Sequence, residues 1–142
     1  MDTLRKLLAS KGGDIWAVAP DDSVYTAIKN MADHGCGALA VMRGDELAGI
    51  ISERDYARKV ILAGRASEST RVSEIMTSEV VTASPDDRVD TCLSLMTDKR
   101  IRHLPVVDGS TVVGMVSIGD LVKAIIAHQE FLISQLEQYI KQ

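Results

Sequence analysis

A shift of 65 positions lays residues 15–57 on residues 80–122 without a gap. It places Pro20-Asp21-Asp22 on Pro85-Asp86-Asp87, Met31 on Met96, Leu39 on Leu104, Gly49 on Gly114, Ser52 on Ser117 and Asp55 on Asp120. Two copies of one supersecondary unit, each with an apolar face it cannot hide alone, predict a pseudo-two-fold α/β arrangement. Clefts between such copies are features that a single copy lacks, so function is sought there.

Within the first copy, Ile15 to Val18 reads as a short strand, and Pro20-Asp21-Asp22-Ser23 as a turn ending in a helix cap. Val24, Ala27, Ile28, Met31 and Ala32 recur at helical spacing up to His34, and Gly35 ends that helix. Ala38–Met42 and Leu47–Ile51 form a hairpin around Arg43-Gly44-Asp45-Glu46. A helix then starts at Ser52 and runs to about Leu62. The second copy repeats the plan, with a strand at Val80–Thr82, a helix at Arg88–Lys99, and a hairpin of His103–Val107 with Val112–Val116. Its last helix starts at Ser117 and meets no breaker before Gln142.

The spacing therefore divides the chain into an N-terminal helix (1–13), a first β-α-β-β-α repeat (14–63), a linker with a short helix (64–79), a second repeat (80–127) and a C-terminal helical extension (128–142). Leu121, Ile125, Leu132, Leu136 and Ile140 form a stripe along that last helix. It is expected to pack on the N-terminal helix or on a second subunit.

A hydrophobic content of 46% and a charged content of 25% fit a soluble globular protein. The net charge of −4 argues against a general nucleic-acid or membrane-surface binder, since both need a basic face. No apolar run approaches a membrane span, and Met1-Asp2-Thr3-Leu4-Arg5-Lys6 lacks the apolar core of a secretion signal. Cys36 and Cys92 form no C-x-x-C pair and read as free thiols of a cytoplasmic protein.

Each copy ends its last strand in the same way: Gly49-Ile50-Ile51-Ser52-Glu53-Arg54-Asp55, then Gly114-Met115-Val116-Ser117-Ile118-Gly119-Asp120. Serine followed three residues later by an acid resembles a helix-capping box, which needs no ligand. The same residues also suit one. A helix N-terminus presents free N–H groups to an anion, the serine hydroxyl can bond a phosphate, and the carboxylate can accept both hydroxyls of a ribose. The glycine would let a flat ring lie against the strand backbone. That the pattern occurs twice with its spacing kept favours binding. The three histidines have no metal-ligand spacing, and neither a dinucleotide glycine fingerprint nor a phosphate loop is present.

With these endings, the Pro-x-x-Val starts and the segment Arg102-His103-Leu104-Pro105-Val106, the chain resembles a tandem pair of cystathionine β-synthase (CBS) domains, a Bateman module, over residues 15 to about 127. Ser52–Lys59 followed by Ile75-Met76-Thr77 is similar to small stand-alone bacterial proteins made of this module, and to organellar relatives in plants. The resemblance implies that the two repeats pack as one module. It also implies that AMP, ADP or ATP, and in some members NAD(H), binds in the clefts between them.

Under it, Asp120 holds the ribose hydroxyls, Ser117 and Arg102 the phosphate with help from His103, while Val81, Thr82 and the Leu104-Pro105 backbone frame the adenine. The first cleft takes Asp55 and Ser52, with Trp16 and Ala17 near its base. Its Gly37-Ala38 stands where the second repeat has Arg102-His103, so the Asp120 cleft is expected to be the tighter phosphate site. Arg54 is expected to lean toward its phosphates. The expected function is a non-catalytic, homodimeric sensor of energy or redox state whose bound form is read by a separate regulated protein. The rivals are an enzyme acting on the nucleotide and a ligand-free dimerisation module.

Overall fold

The computed structural model describes residues 1–141. In chain order its elements are α1 (Leu4–Lys11), β1 (Ala17–Val18), α2 (Val24–His34), β2 (Ala38–Arg43), β3 (Glu46–Ser52) and α3 (Glu53–Tyr56), which continues as a wider π-type turn over Ala57–Ile61. Then come α4 (Val72–Ile75), α5 (Val89–Lys99), β4 (His103–Asp108), β5 (Thr111–Ser117) and α6 (Ile118–Lys141). The chain forms two compact bodies. The first-repeat body holds residues 14–81 and 109–112, and the second-repeat body holds 1–13, 82–108 and the chain from 113 onward.

In the first-repeat body, β1 runs parallel to β2, and β2 pairs antiparallel with β3, with Ala38 opposite Ser52. Helix α2 starts where the Ser23 hydroxyl accepts the Thr26 N–H at 3.1 Å, and it stops at Gly35, whose φ of 62° is free of strain only for glycine. The helix buries Val24, Ala27 and Met31 against Leu39, Val41 and Ile51 of the sheet. The second-repeat body buries the same positions 65 residues on: Val89, Cys92 and Met96 from α5, and Leu104, Val106 and Val116 from the hairpin. At the end of α5 the left-handed position is filled by Arg100, with φ 57°. Neither cysteine is in a disulfide among the described residues.

The strand expected at Val80–Thr82 shrinks to one parallel bridge between Ala83 and Val106. The first repeat explains why. There, the Ala40 N–H donates to the Trp16 carbonyl at 3.2 Å and begins the β1–β2 ladder. The equivalent of Ala40 is Pro105, which has no N–H to give. Only the next bonds survive, Ala83 N–H to the Pro105 carbonyl at 3.0 Å and Val107 N–H to the Ala83 carbonyl at 2.8 Å.

Helices α1 and α4 prove to be counterparts, related by a shift of 68 rather than 65. The N–H groups of Val72 and Ser73 donate to the carbonyls of Asp22 and Pro20, and those of Leu4 and Arg5 donate to Asp87 and Pro85. Each helix thus closes the turn before the long helix of its own body. Leu4, Leu7 and Leu8 match Val72, Ile75 and Met76 in spacing.

Helix α6 runs for 24 residues, roughly 36 Å at 1.5 Å per residue. Its first turns pack on α5, with Leu121 fully buried. The expectation that the distal stripe packs on the N-terminal helix is not met: residues 129–141 are exposed throughout. Helix α1 lies where it must close the turn at Pro85–Asp87, and it spends Leu4, Leu7 and Leu8 there. The end of the stripe's expected run, Gln142, lies outside the described residues.

Candidate functional site

The two serine–aspartate helix starts occupy equivalent places. Each stands at the sheet end where the strand after the long helix begins and the hairpin's second strand ends. In the first-repeat body this end brings together Trp16-Ala17, Gly37-Ala38 and Ser52–Asp55, because β1 and β2 start there and Ala38 pairs with Ser52. The first N–H of α3, from Glu53, donates to the Gly37 carbonyl at 3.0 Å. In the second-repeat body the first N–H of α6, from Ile118, donates to the Arg102 carbonyl at the same distance. Arg102, His103, Leu104, Pro105, Thr82, Ser117 and Asp120 all belong to this body, whereas Val81 belongs to the other.

Both helix starts form the reciprocal cap. The Asp55 N–H donates to Ser52 Oγ at 3.1 Å while the Ser52 N–H donates to Asp55 Oδ2 at 3.0 Å. Asp120 and Ser117 do the same at 3.1 and 2.8 Å. The capping geometry is thus realised in full. What differs is how much bonding capacity each cap leaves over.

At Asp55 both oxygens are engaged. The Ser52 hydroxyl donates to Oδ2 at 3.1 Å, and Lys59, one turn along, sits 3.2 Å from Oδ1. At Asp120 both the Ser117 N–H and the Lys11 ammonium converge on Oδ2, the latter at 2.6 Å. The Ser117 hydroxyl also bonds the same carboxylate, and the contacts of Lys11 and the Ser117 N–H fall on Oδ2, leaving Oδ1 of Asp120 without a cation among the described residues. Lys11 also donates to the Met115 carbonyl at 2.8 Å, which anchors the end of α1 to β5. Partial burial works to raise the Asp120 pKa. The Lys11 ammonium and the Ser117 N–H outweigh it and hold the carboxyl below the usual aspartate range.

Arg102 is exposed and enters no ion pair among the described residues, and the same holds for Arg54 in the first-repeat body. His103 opens β4 and is half-buried. Leu104 and Pro105 are buried. Thr82 is exposed and Val81 half-buried.

One expectation about this end is overturned. A methyl on Gly114 would lie 2.7 Å from Leu8 Cδ2, and one on Gly49 would lie 2.7 Å from the Thr77 carbonyl oxygen and 2.8 Å from Met76 Sδ. The close approach these glycines permit is therefore made by the protein's own α1 and by the residues just after α4, not by a flat ring. Leu8 and Met76 are the α1/α4 counterparts, so one packing solution is used twice.

Trp16 is 42% exposed, and its indole stacks on His34, with ring centroids 3.7 Å apart. His34 ends α2 as expected, its Nδ1 2.9 Å from the Asn30 carbonyl. Sequence reasoning missed this stack and both lysines. Lys59 had a local signal, four residues after Asp55 on one helix. Lys11 had none, since it lies 109 residues from its partner. Among the described residues, no group of three or more His, Cys, Asp or Glu could hold a metal ion. Among the described residues, no helix is long and apolar enough to cross a membrane.

The family model of the CBS domain matches residues 9–61 and 72–127. The chain is 44% identical over 149 residues to the mitochondrial CBS domain-containing protein CBSX3 of Arabidopsis thaliana, covering 98% of this chain and 72% of that one. That relative's compartment differs from the cytoplasm expected above. Among solved structures, a protein with CBS domains from Burkholderia ambifaria shares 51% identity with a TM-score of 0.86, over 90% of this chain and 96% of that one. The CBS domain pair of protein MJ0100, in complex with 5′-methylthioadenosine and S-adenosyl-L-methionine, shares 27% identity with a TM-score of 0.78, over 90% and 98%.

Proposed function

Since the chain belongs to the CBS-domain family and carries two copies of the domain, we propose that it is a non-catalytic regulatory module that binds an adenosine-containing ligand at its Asp120 end and passes the bound state to a partner protein. CBS pairs are commonly ligand-binding regulators, and the MJ0100 pair holds two adenosine compounds. The observation that carries the reading is the bonding capacity left over at one helix start and spent at the other. Oδ1 of Asp120 is available to ribose hydroxyls. The exposed Arg102 guanidinium, in the same body, is available to a phosphate, and the Ser117 hydroxyl would turn from the Asp120 carboxylate to join it.

The proposed ligand is accordingly an adenine nucleotide, AMP, ADP or ATP, with His103 assisting at the phosphate and the Leu104-Pro105 backbone, Val81 and Thr82 flanking the base. The Asp55 half, its carboxylate already satisfied, is the weaker site. Its Trp16, Ala17, Gly37 and Ala38 would serve a nucleoside end, including that of NAD(H), and Arg54 is its available cation. Regulation requires that the ligand bind two arrangements of the protein unequally.

Calorimetry with AMP, ATP and 5′-methylthioadenosine tests the assignment. A charge-assisted hydrogen bond is worth about 1.5–3 kcal/mol, so Asp120→Ala should weaken all three ligands about tenfold or more. Arg102→Ala should weaken AMP and ATP by a similar factor and leave methylthioadenosine, which has no phosphate, unchanged. Equal affinities in wild type and both variants, or equal losses for all three ligands in Arg102→Ala, would sink the proposal.

A further inference from the structure

Helix α6 carries two apolar faces, and only one of them has a partner in its own body. Leu121, Ala124, Ile125 and His128 are buried or half-buried, and they form the inward face of the proximal turns. A second set, Val122, Ile126, Gln129, Ile133, Leu136 and Ile140, advances in steps of four, three, four, three and four. Every member is exposed, including Val122 and Ile126 beside the packed turns. Alternating three- and four-residue steps are the heptad pattern of a coiled-coil seam. Ile126, Ile133 and Ile140 fall at its a positions, and Val122, Gln129 and Leu136 at d. The seam covers 19 residues, Val122 to Ile140, or about 27 Å end to end.

We propose that this seam pairs, antiparallel, with the same helix of a second copy of the chain. Charge decides the direction. The e positions hold Lys123, Glu130 and Glu137, while the g positions hold Ile125, Leu132 and Tyr139. In a parallel pair e faces g, which sets Glu130 and Glu137 against Ile125 and Leu132. In an antiparallel pair e faces e and g faces g. Lys123 then meets the partner's Glu137 at both ends of the interface, and Leu132 meets the partner's Leu132 in an apolar flank. Val122 packs near the partner's Ile140, and Ile126 near the partner's Leu136. The Glu130 pair falls at the central two-fold axis, on the solvent side. The pairing covers the distal stripe that α1 leaves bare, and it does not depend on the ligand reading above.

Sedimentation equilibrium of the full chain at micromolar concentration provides the test. Wild type should be dimeric, and Ile133→Glu should raise the dimer Kd at least about a hundredfold with its far-UV circular dichroism retained. Lys123→Glu and Glu137→Lys should each raise Kd about tenfold, because each creates two like-charge contacts. The double variant K123E/E137K should recover the wild-type Kd, since the pairs re-form with their signs exchanged. A monomeric wild type, or a dimer indifferent to Ile133→Glu, overturns the proposal. Single swaps that the double variant does not rescue overturn the antiparallel alignment.

Discussion

Replacing Lys11 by methionine keeps the length and apolar stem of the side chain and removes one ammonium, 2.6 Å from Asp120 Oδ2 and 2.8 Å from the Met115 carbonyl. A shielded charge-assisted hydrogen bond contributes about 1.5–3 kcal/mol, and a fully exposed ion pair about 0.2–1 kcal/mol. Asp120 is 26% exposed but Lys11 is 41%, so screening by water brings the expected loss to about 1 kcal/mol. The folded protein holds Asp120 below its ordinary pKa, with partial burial opposing and the Lys11 and Ser117 bonds prevailing. A depressed carboxyl adds stability that is fully present above the unfolded value of about 4, and that is lost as pH falls through the lower folded value. Urea unfolding should therefore show wild type ahead of Lys11→Met at neutral pH, with the lead shrinking in strong acid, once Asp120 is protonated, to what the Met115 carbonyl bond contributes. Carboxyl NMR should show the Asp120 midpoint moving up in the variant. A lead that is the same at both pH extremes, or an unmoved midpoint, would refute the electrostatic account of how α1 is fastened.

Arg100 stands with φ 57° where the first repeat has Gly35 at 62°. Arg100→Gly should thus stabilise by about 0.5–1 kcal/mol, the left-handed strain relieved less the entropy glycine gains on unfolding, and Gly35→Ala should destabilise by about 1 kcal/mol; urea midpoints of the two variants, shifting in opposite directions, check this. Gly114→Ala pushes on the movable end of Leu8, whereas Gly49→Ala meets the fixed Thr77 carbonyl. Both should lose stability by urea unfolding, the first by about 1–2 kcal/mol and the second by about 2–3 kcal/mol. Burial, with Asp87 and Asp90 adding to it, pushes the Cys92 thiol up to about 11. A disulfide reagent at neutral pH should label native Cys92 about a hundredfold more slowly than in urea.

Features whose causes lie within a few residues could be read directly. Helix α2 begins and ends as read because the Ser23 hydroxyl and the Gly35 backbone act on their own neighbours. The Ser52 and Ser117 caps are equally local, three residues from acid to hydroxyl. Where a distant residue intervened, the reading went astray. The Val80–Thr82 strand failed because Pro105, more than twenty positions on, withholds a donor. Gly49 and Gly114 looked like places for a ring until Leu8 of α1 and Met76 and Thr77, just after α4, filled them.

The sequence by itself determined that there are two repeats, which residues form their cores, and where a serine and an aspartate cap a helix, since periodicity and capping depend on neighbours along the chain. Tertiary structure alone decided that α1 closes the second repeat as α4 closes the first, and that Lys11 reaches Asp120 from 109 residues away, whereas Lys59 meets Asp55 locally, four residues along the same helix. The two halves therefore keep the same cap but unequal spare bonding capacity. The physical reason is that a carboxylate's free lone pairs depend on which cations folding brings within 3 Å or so, and chain order carries no record of that distance.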